Sequence, residues 1–218
     1  VQRLIPWVLV AAAVLFVRAP FLIDAAPHES TMGLVQKIFY FHVPAAMLTL
    51  VSAMVCGVAS GAYLWRRRPM ADHVALAAAE LVIVFGIITL ITGPLWARKA
   101  WGVWWQWEAR LTITLVMWMV FVAYSLLRRF GGPGSDVMAA AVGIFGMALG
   151  PFAFWSVNVW RTLHPTTEVV WTLPPEMAGP FVWCIVAFAA LYVTLLMVRA
   201  RVAAAEHALD AALLELEE

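Results

Sequence analysis

Charge is what this chain has least of. Asp, Glu, Lys and Arg make up 12% of its 218 residues, about half the share of an average soluble domain. The formal net charge is +1, so there is no basic field to meet a phosphate backbone, and nucleic acid is excluded as a partner. Cysteine is scarce too. Cys56 and Cys184 stand far apart, each inside an apolar run, and no C-x-x-C occurs. Both read as small membrane-buried hydrophobes, which argues against thiol–disulfide exchange. The chain also lacks G-x-x-x-x-G-K-[ST], H-E-x-x-H and any arrangement resembling a Ser–His–Asp set. It therefore has no Walker-type nucleotide site of its own and no recognisable hydrolase centre. The expectation is a binding or transfer protein rather than an enzyme.

What is abundant is apolar surface. Hydrophobic residues make up 64% of the chain and its mean hydropathy is +0.89, the composition of an integral membrane protein. Spanning a bilayer takes ~20 residues of helix. Six stretches qualify, near 4–23, 44–65, 74–96, 111–127, 137–157 and 181–198. The fourth is the shortest, and the second has room to begin earlier, at Ile38-Phe39-Tyr40-Phe41. The first run, with Arg3 before it and Ala25-Ala26 after it, could also be a cleaved signal peptide, but it is longer than a typical signal core and reads better as a retained span. The fold class is thus all-α, a six-helix membrane domain over 1–199 followed by an acidic helical tail over 200–218.

An even number of spans puts both termini on one side. Arg3, Arg66, Arg67, Arg68, Arg128, Arg129, Arg199 and Arg201 collect on that side, against Lys37, Arg98, Lys99, Arg110 and Arg161 on the other. The positive-inside rule then makes both termini cytoplasmic. Three outer segments follow, 24–43, 97–110 and 158–180, and they hold the unusual residues. Arg18, in the first run, is expected to snorkel outward. Glu80, inside the third span, is expected near the inner interface or facing a partner in the bundle. His73 and His207 read as solvated residues on the inner side, and His28 as a loop residue.

The second outer segment is the richest. Four tryptophans and a carboxylate fall within Trp101-Gly102-Val103-Trp104-Trp105-Gln106-Trp107-Glu108. On a helical wheel Trp101, Trp104, Trp105 and Glu108 share a face, an aromatic shelf with an acid at its edge. Such a shelf suits a large flat apolar ligand, and it also suits the aromatic belt of any membrane protein. The flanking outer segments each offer a histidine. His42 lies in Tyr40-Phe41-His42-Val43-Pro44-Ala45-Ala46, where Pro44 suits the first turn of a helix and leaves His42 just above the span. His164 precedes Pro165, which favours an extended loop. Two imidazoles from separate segments are what a six-coordinate haem iron needs axially. Either one, alone, also fits a hydrogen-bonded structural residue at a helix end.

The segment Trp101 to Thr112 (WGVWWQWEARLT) resembles the tryptophan-rich motif of the haem-handling membrane proteins of cytochrome c maturation. The stretch Phe39 to Ala46 (FYFHVPAA) resembles the first-histidine motif of one branch, the haem exporter protein C family, and His164-Pro165 falls where that family has its second outer histidine. The resemblance covers nearly the whole chain. One departure stands out: the family motif usually ends in Asp, and this chain has Glu108.

The resemblance implies a multi-pass protein of the bacterial inner membrane that binds haem b at its periplasmic face, with His42 and His164 as axial ligands. It implies contact between the macrocycle and Trp101, Gly102, Trp104, Trp105 and Trp107, with Trp107 off the main face and able to anchor among lipid headgroups. Glu108 would engage a haem substituent or a partner, and Arg110 and Arg161 are candidates for the propionates. The implied partners are a periplasmic haem chaperone, an ABC-type ATPase subunit, its membrane partner and a small single-span subunit. Two other readings fit the same residues: a b-type cytochrome subunit carrying electrons, and a docking subunit that binds no haem.

Overall fold

The computed structural model describes residues 5–217; Arg3, Leu4 and Glu218 lie outside them. The described chain is helical, with six helices long and apolar enough to cross a membrane. They are α1 (Ile5–Ala25), α2 (Phe39–Arg66), α3 (Pro69–Trp101), α4 (Ala109–Phe130), α5 (Ser135–Val159) and α6 (Pro175–Glu217). Helix is the economical answer for such runs, because lipid offers no partner to a backbone N–H or C=O. The six expected spans are all present, and each helix overruns its apolar stretch. Among the described residues α1 has 21 and α4 has 22.

The turns between helices are set by local chemistry. Arg67 takes a left-handed conformation (φ 51°) and its N–H closes α2 on the Tyr63 carbonyl at 2.8 Å; Pro69 opens α3 two residues later. The α2–α3 connection is therefore tight, and α3 starts five residues before the apolar run. That places His73 inside the helix, where it is buried with its ring 5.4 Å from that of His207, and not in a solvated loop.

Helix α2 packs along α3 and α5, α4 along α5 and α3, and α6 along α3, while α1 lies against α6. The core of α2 to α5 is built from Ala53, Cys56, Ala75, Ala78, Ala79 and Val82 against Met117, Phe121, Tyr124 and Ala139. Small residues on one helix and rings on the next let backbones approach closely, which is how helices associate without a solvent-driven force in lipid. Cys56 and Cys184 are both free and buried, as expected. Arg18 places its guanidinium over the Trp183 ring at 5.4 Å, and Trp183 in turn donates its Nε1–H to the Leu15 carbonyl. Glu80 has a partner in the bundle: Arg199 grips both its oxygens, at 2.6 and 2.9 Å.

Alternation of the helices brings three connections to one end of the bundle: residues 26–38, 102–108 and 160–174. The second holds most of the tryptophan segment and the third holds His164, while His42 lies just past the first, in the opening turn of α2.

Candidate functional site

The first side of the site is the start of α2. A 3-10 turn, Leu34–Ile38, runs straight into the helix at Phe39. It is tied down by Trp96 of α3, which donates to Gln36 at 3.1 Å, and by Lys37, which donates to the Asp24 carbonyl at 2.7 Å. Because helix begins this early, Pro44 sits inside α2 and His42 is within its first turn, not above it. The His42 ring lies against α3, with Nδ1 2.9 Å from Thr92 Oγ1.

The second side is the tryptophan segment, and it is not a continuous helix. Helix α3 stops at Trp101, Gly102 turns the chain with φ 77°, and Val103 to Trp107 run irregularly to Glu108, which is extended (φ −102°) ahead of α4. The shared helical face expected for Trp101, Trp104, Trp105 and Glu108 therefore does not form. The reason is local: glycine reaches positive φ without strain and ends helices well, and the aromatic run beyond it has little helical preference. The rings make smaller groups instead. Trp101 stands edge-on to Trp96 at 5.5 Å, and Trp105 edge-on to Trp107 at 5.7 Å. Trp104 and Trp107 are largely exposed, whereas Trp105 is half-buried.

Glu108 joins this segment to the third. Its Oε2 accepts from the Thr162 hydroxyl at 2.6 Å and from the Leu163 N–H at 2.9 Å. Thr162 Oγ1 in turn accepts the His164 N–H at 3.0 Å. A carboxylate 54 residues away in sequence thus shapes the loop that presents His164. The other oxygen, Glu108 Oε1, and the indole Nε1–H of Trp105 are buried without a partner among the described residues.

His164 has its ring nitrogen Nδ1 2.8 Å from the Pro165 carbonyl. A carbonyl only accepts, so Nδ1 carries the proton and Nε2 keeps its lone pair. Burial, then the Arg110 guanidinium, hold His164 below the usual imidazole range, against the opposing pull of the Pro165 carbonyl and Glu108. A neutral imidazole with a free Nε2 is a metal ligand. Arg110 is the common neighbour: it lies within electrostatic reach of both His42 and His164, and His164 within reach of His42. Three segments, spread over more than a hundred residues of sequence, meet at this end.

Arg110 does not stand free, however. Its Nη1 donates to the carbonyls of Ala153 and Phe154 near the end of α5, at 2.8 and 3.2 Å. Arg161 is exposed and makes no ion pair among the described residues. Sequence reasoning gave Glu108 a partner outside the chain and overlooked Thr92, Thr162 and Gly93. A threonine two residues before Pro94 in an apolar helix was the available signal for Thr92.

The donor set fits haem: two imidazoles for an iron, several part-exposed indoles for the macrocycle, and buried polar atoms at the rim with bonding capacity in hand. A profile described as Heme exporter protein C matches residues 1–214. This chain belongs to that family. The heme exporter protein C of Bradyrhizobium diazoefficiens is 34% identical over 200 residues, covering 88% of this chain and 76% of that protein. The Escherichia coli protein of the same name is 32% identical over 206 residues, covering 90% of this chain and 82% of its own length. That of Rhodobacter capsulatus is 32% identical over 211 residues, with coverages of 91% and 86%. Family matches thus span all six helices and the three connections at the histidine end.

Proposed function

We propose that this haem exporter protein C family member binds haem b at the periplasmic face of the bacterial inner membrane and presents it to a periplasmic haem chaperone during cytochrome c biogenesis. His42 and His164 would hold its iron. The observation that supports the reading is that His42 and His164 flank the tryptophan segment at the same end of the bundle, both within electrostatic reach of Arg110. Orientation follows from arginine: the clusters Arg66-Arg67-Arg68 and Arg128-Arg129 lie at the end away from both histidines, which makes that end cytoplasmic.

The chain's residues divide the work. His42 stands on a helix wedged between α3 and the 3-10 turn, so its position is rigid. His164 stands on a loop held by Glu108, which can open without unfolding a helix. Trp101, Trp104, Trp105 and Trp107 supply aromatic surface, each large ring burying ~150–250 Å² when fully covered. Trp105 Nε1 and Glu108 Oε1 can donate to and accept from haem substituents or bridging water, and the open nitrogens of Arg110 and Arg161 can meet propionates. A ligand on a rigid helix opposed by one on a releasable loop suits handover better than electron conduction. The wider assembly in this reading holds an ABC-type ATPase subunit, its membrane partner and a small single-span subunit, with the energy supplied there.

The test is transfer. Haem-loaded protein in detergent, mixed with haem-free chaperone, is expected to give up its haem, with the absorbance following the chaperone on separation. Haem that stays with this chain and is reduced by quinol would make it an electron-carrying cytochrome instead.

A further inference from the structure

The hydroxyl of Thr92 has one proton to give, and its place is fixed by the helix. Thr92 Oγ1 donates to the Ile88 carbonyl at 2.7 Å. Thr49, Thr89, Thr114 and Thr194 use their protons the same way, each on the carbonyl four residues back. With its proton spent, Thr92 Oγ1 faces His42 Nδ1 at 2.9 Å as an acceptor. His42 therefore carries its proton on Nδ1, and Nε2 is the atom with a free lone pair. From this we infer that Thr92 is a positioning residue for the His42 ligand, fixing its tautomer and ring angle, with Gly93 beside it as the seat of the ring.

Gly93 contributes space. A Cβ at that position would lie 3.2 Å from His42 Cε1, closer than carbon atoms normally pack, so any larger residue pushes the ring away. Thr92 and Gly93 thus control two different coordinates of one side chain: which nitrogen is offered, and where the ring plane sits. His164 reaches the same tautomer by another route, the Pro165 carbonyl, so both imidazoles offer Nε2. An Nδ1–H donated to an oxygen also makes Nε2 a stronger donor, and removing such a partner costs ~10–100-fold in metal affinity.

This inference rests on the ligand role proposed for His42, and one experiment separates the two. Purified full-length wild type, Thr92→Val, Thr92→Ser and His42→Ala are titrated with haem by absorbance, and the reduction potential of the bound haem is recorded. Thr92→Val keeps the shape of threonine and loses the acceptor. It is expected to bind haem ~10–100-fold more weakly, with less low-spin character and a more positive potential, because a less basic imidazole stabilises ferric iron less. Thr92→Ser is expected to match wild type. If Thr92→Val cannot be recovered folded, Gly93→Ala carries the test, with a shift toward high-spin haem expected while Thr92 is intact. A Thr92→Val protein identical to wild type, or a Thr92→Ser protein as impaired as Thr92→Val, overturns the role of Thr92 while His42→Ala still loses the low-spin band. Spectra unmoved in His42→Ala bring down the ligand reading itself, and this inference with it.

Discussion

At the end of the bundle away from His42 and His164, charges answer one another. Arg128 grips both oxygens of Asp72 at 3.1 and 2.7 Å, Arg199 bridges Glu80 and Glu206, and Asp136 accepts from the Tyr63 hydroxyl. The groups left without a partner there, His73 Nδ1, Tyr124 Oη and Ser125 Oγ, are on residues that need carry no charge. At the histidine end Glu108 uses one oxygen, while its other oxygen and the Trp105 N–H are buried without a partner among the described residues. Ionisable groups within a membrane protein commonly pair with one another or mark a functional path, and Glu108 is the one carboxylate among these groups with a buried oxygen unpaired among the described residues. One end pairs its charges; the other keeps a buried carboxylate oxygen and an indole N–H without a partner among the described residues.

Cutting an ion pair at the closed end is the harshest way to break this contrast. Both members of the Arg128–Asp72 pair are largely buried, at 17% and 13% side-chain exposure. Arg128→Ala strands a carboxylate and is expected to cost about 3–5 kcal/mol, read as a large fall in thermal unfolding temperature. If the ends are independent, the haem spectrum of surviving folded protein stays unchanged.

Glu108→Ala should have a local effect, confined to the other end and to one loop. It removes two hydrogen bonds to a charged acceptor, each worth about 1.5–3 kcal/mol, and releases Thr162 and Leu163. Hydrogen exchange across 160–166 is expected to accelerate while the helices keep their protection. Glu108→Asp should recover part of the effect, since the charge survives on a shorter stem. Equal exchange in all three proteins would contradict the latch.

The mildest perturbation is pH. The folded-state pKa of His164 is lowered from 6.5, so the unfolded chain takes up a proton first on acidification. Its contribution to stability is fully present above pH 6.5 and is lost as pH falls through the lowered folded value. The loop is expected to loosen, and haem to dissociate, on the acid side of that range; His164→Ala should abolish this part of the dependence.

The bundle was legible because its signal is collective. Twenty apolar residues in a row admit few alternatives in lipid, and a few misplaced ends do not change the answer. The site was legible in residue type and not in geometry. His42 and His164 stood out because each lies within two residues of a proline in an outer segment, and the earlier start of α2 was open from its apolar run, yet the irregular run after Gly102 does not follow from periodicity. Glu108 could be seen as an acid beside tryptophans; that Thr162, 54 positions on, would take one of its oxygens could not. Thr92 was invisible for the same reason, being an ordinary threonine until the partner from α2 is known. His73 was misplaced because the arginine-rich turn before it is shorter than its composition suggested.

The central claim is that two histidines from opposite flanks of the tryptophan segment hold one iron. Its most direct test is the absorption spectrum, oxidised and reduced, of detergent-purified wild type, His42→Ala and His164→Ala from haem-replete membranes. The account predicts low-spin haem in wild type that weakens or turns high-spin in either variant. A haem-free wild type, or spectra indifferent to both substitutions, would contradict it and leave a docking subunit in its place.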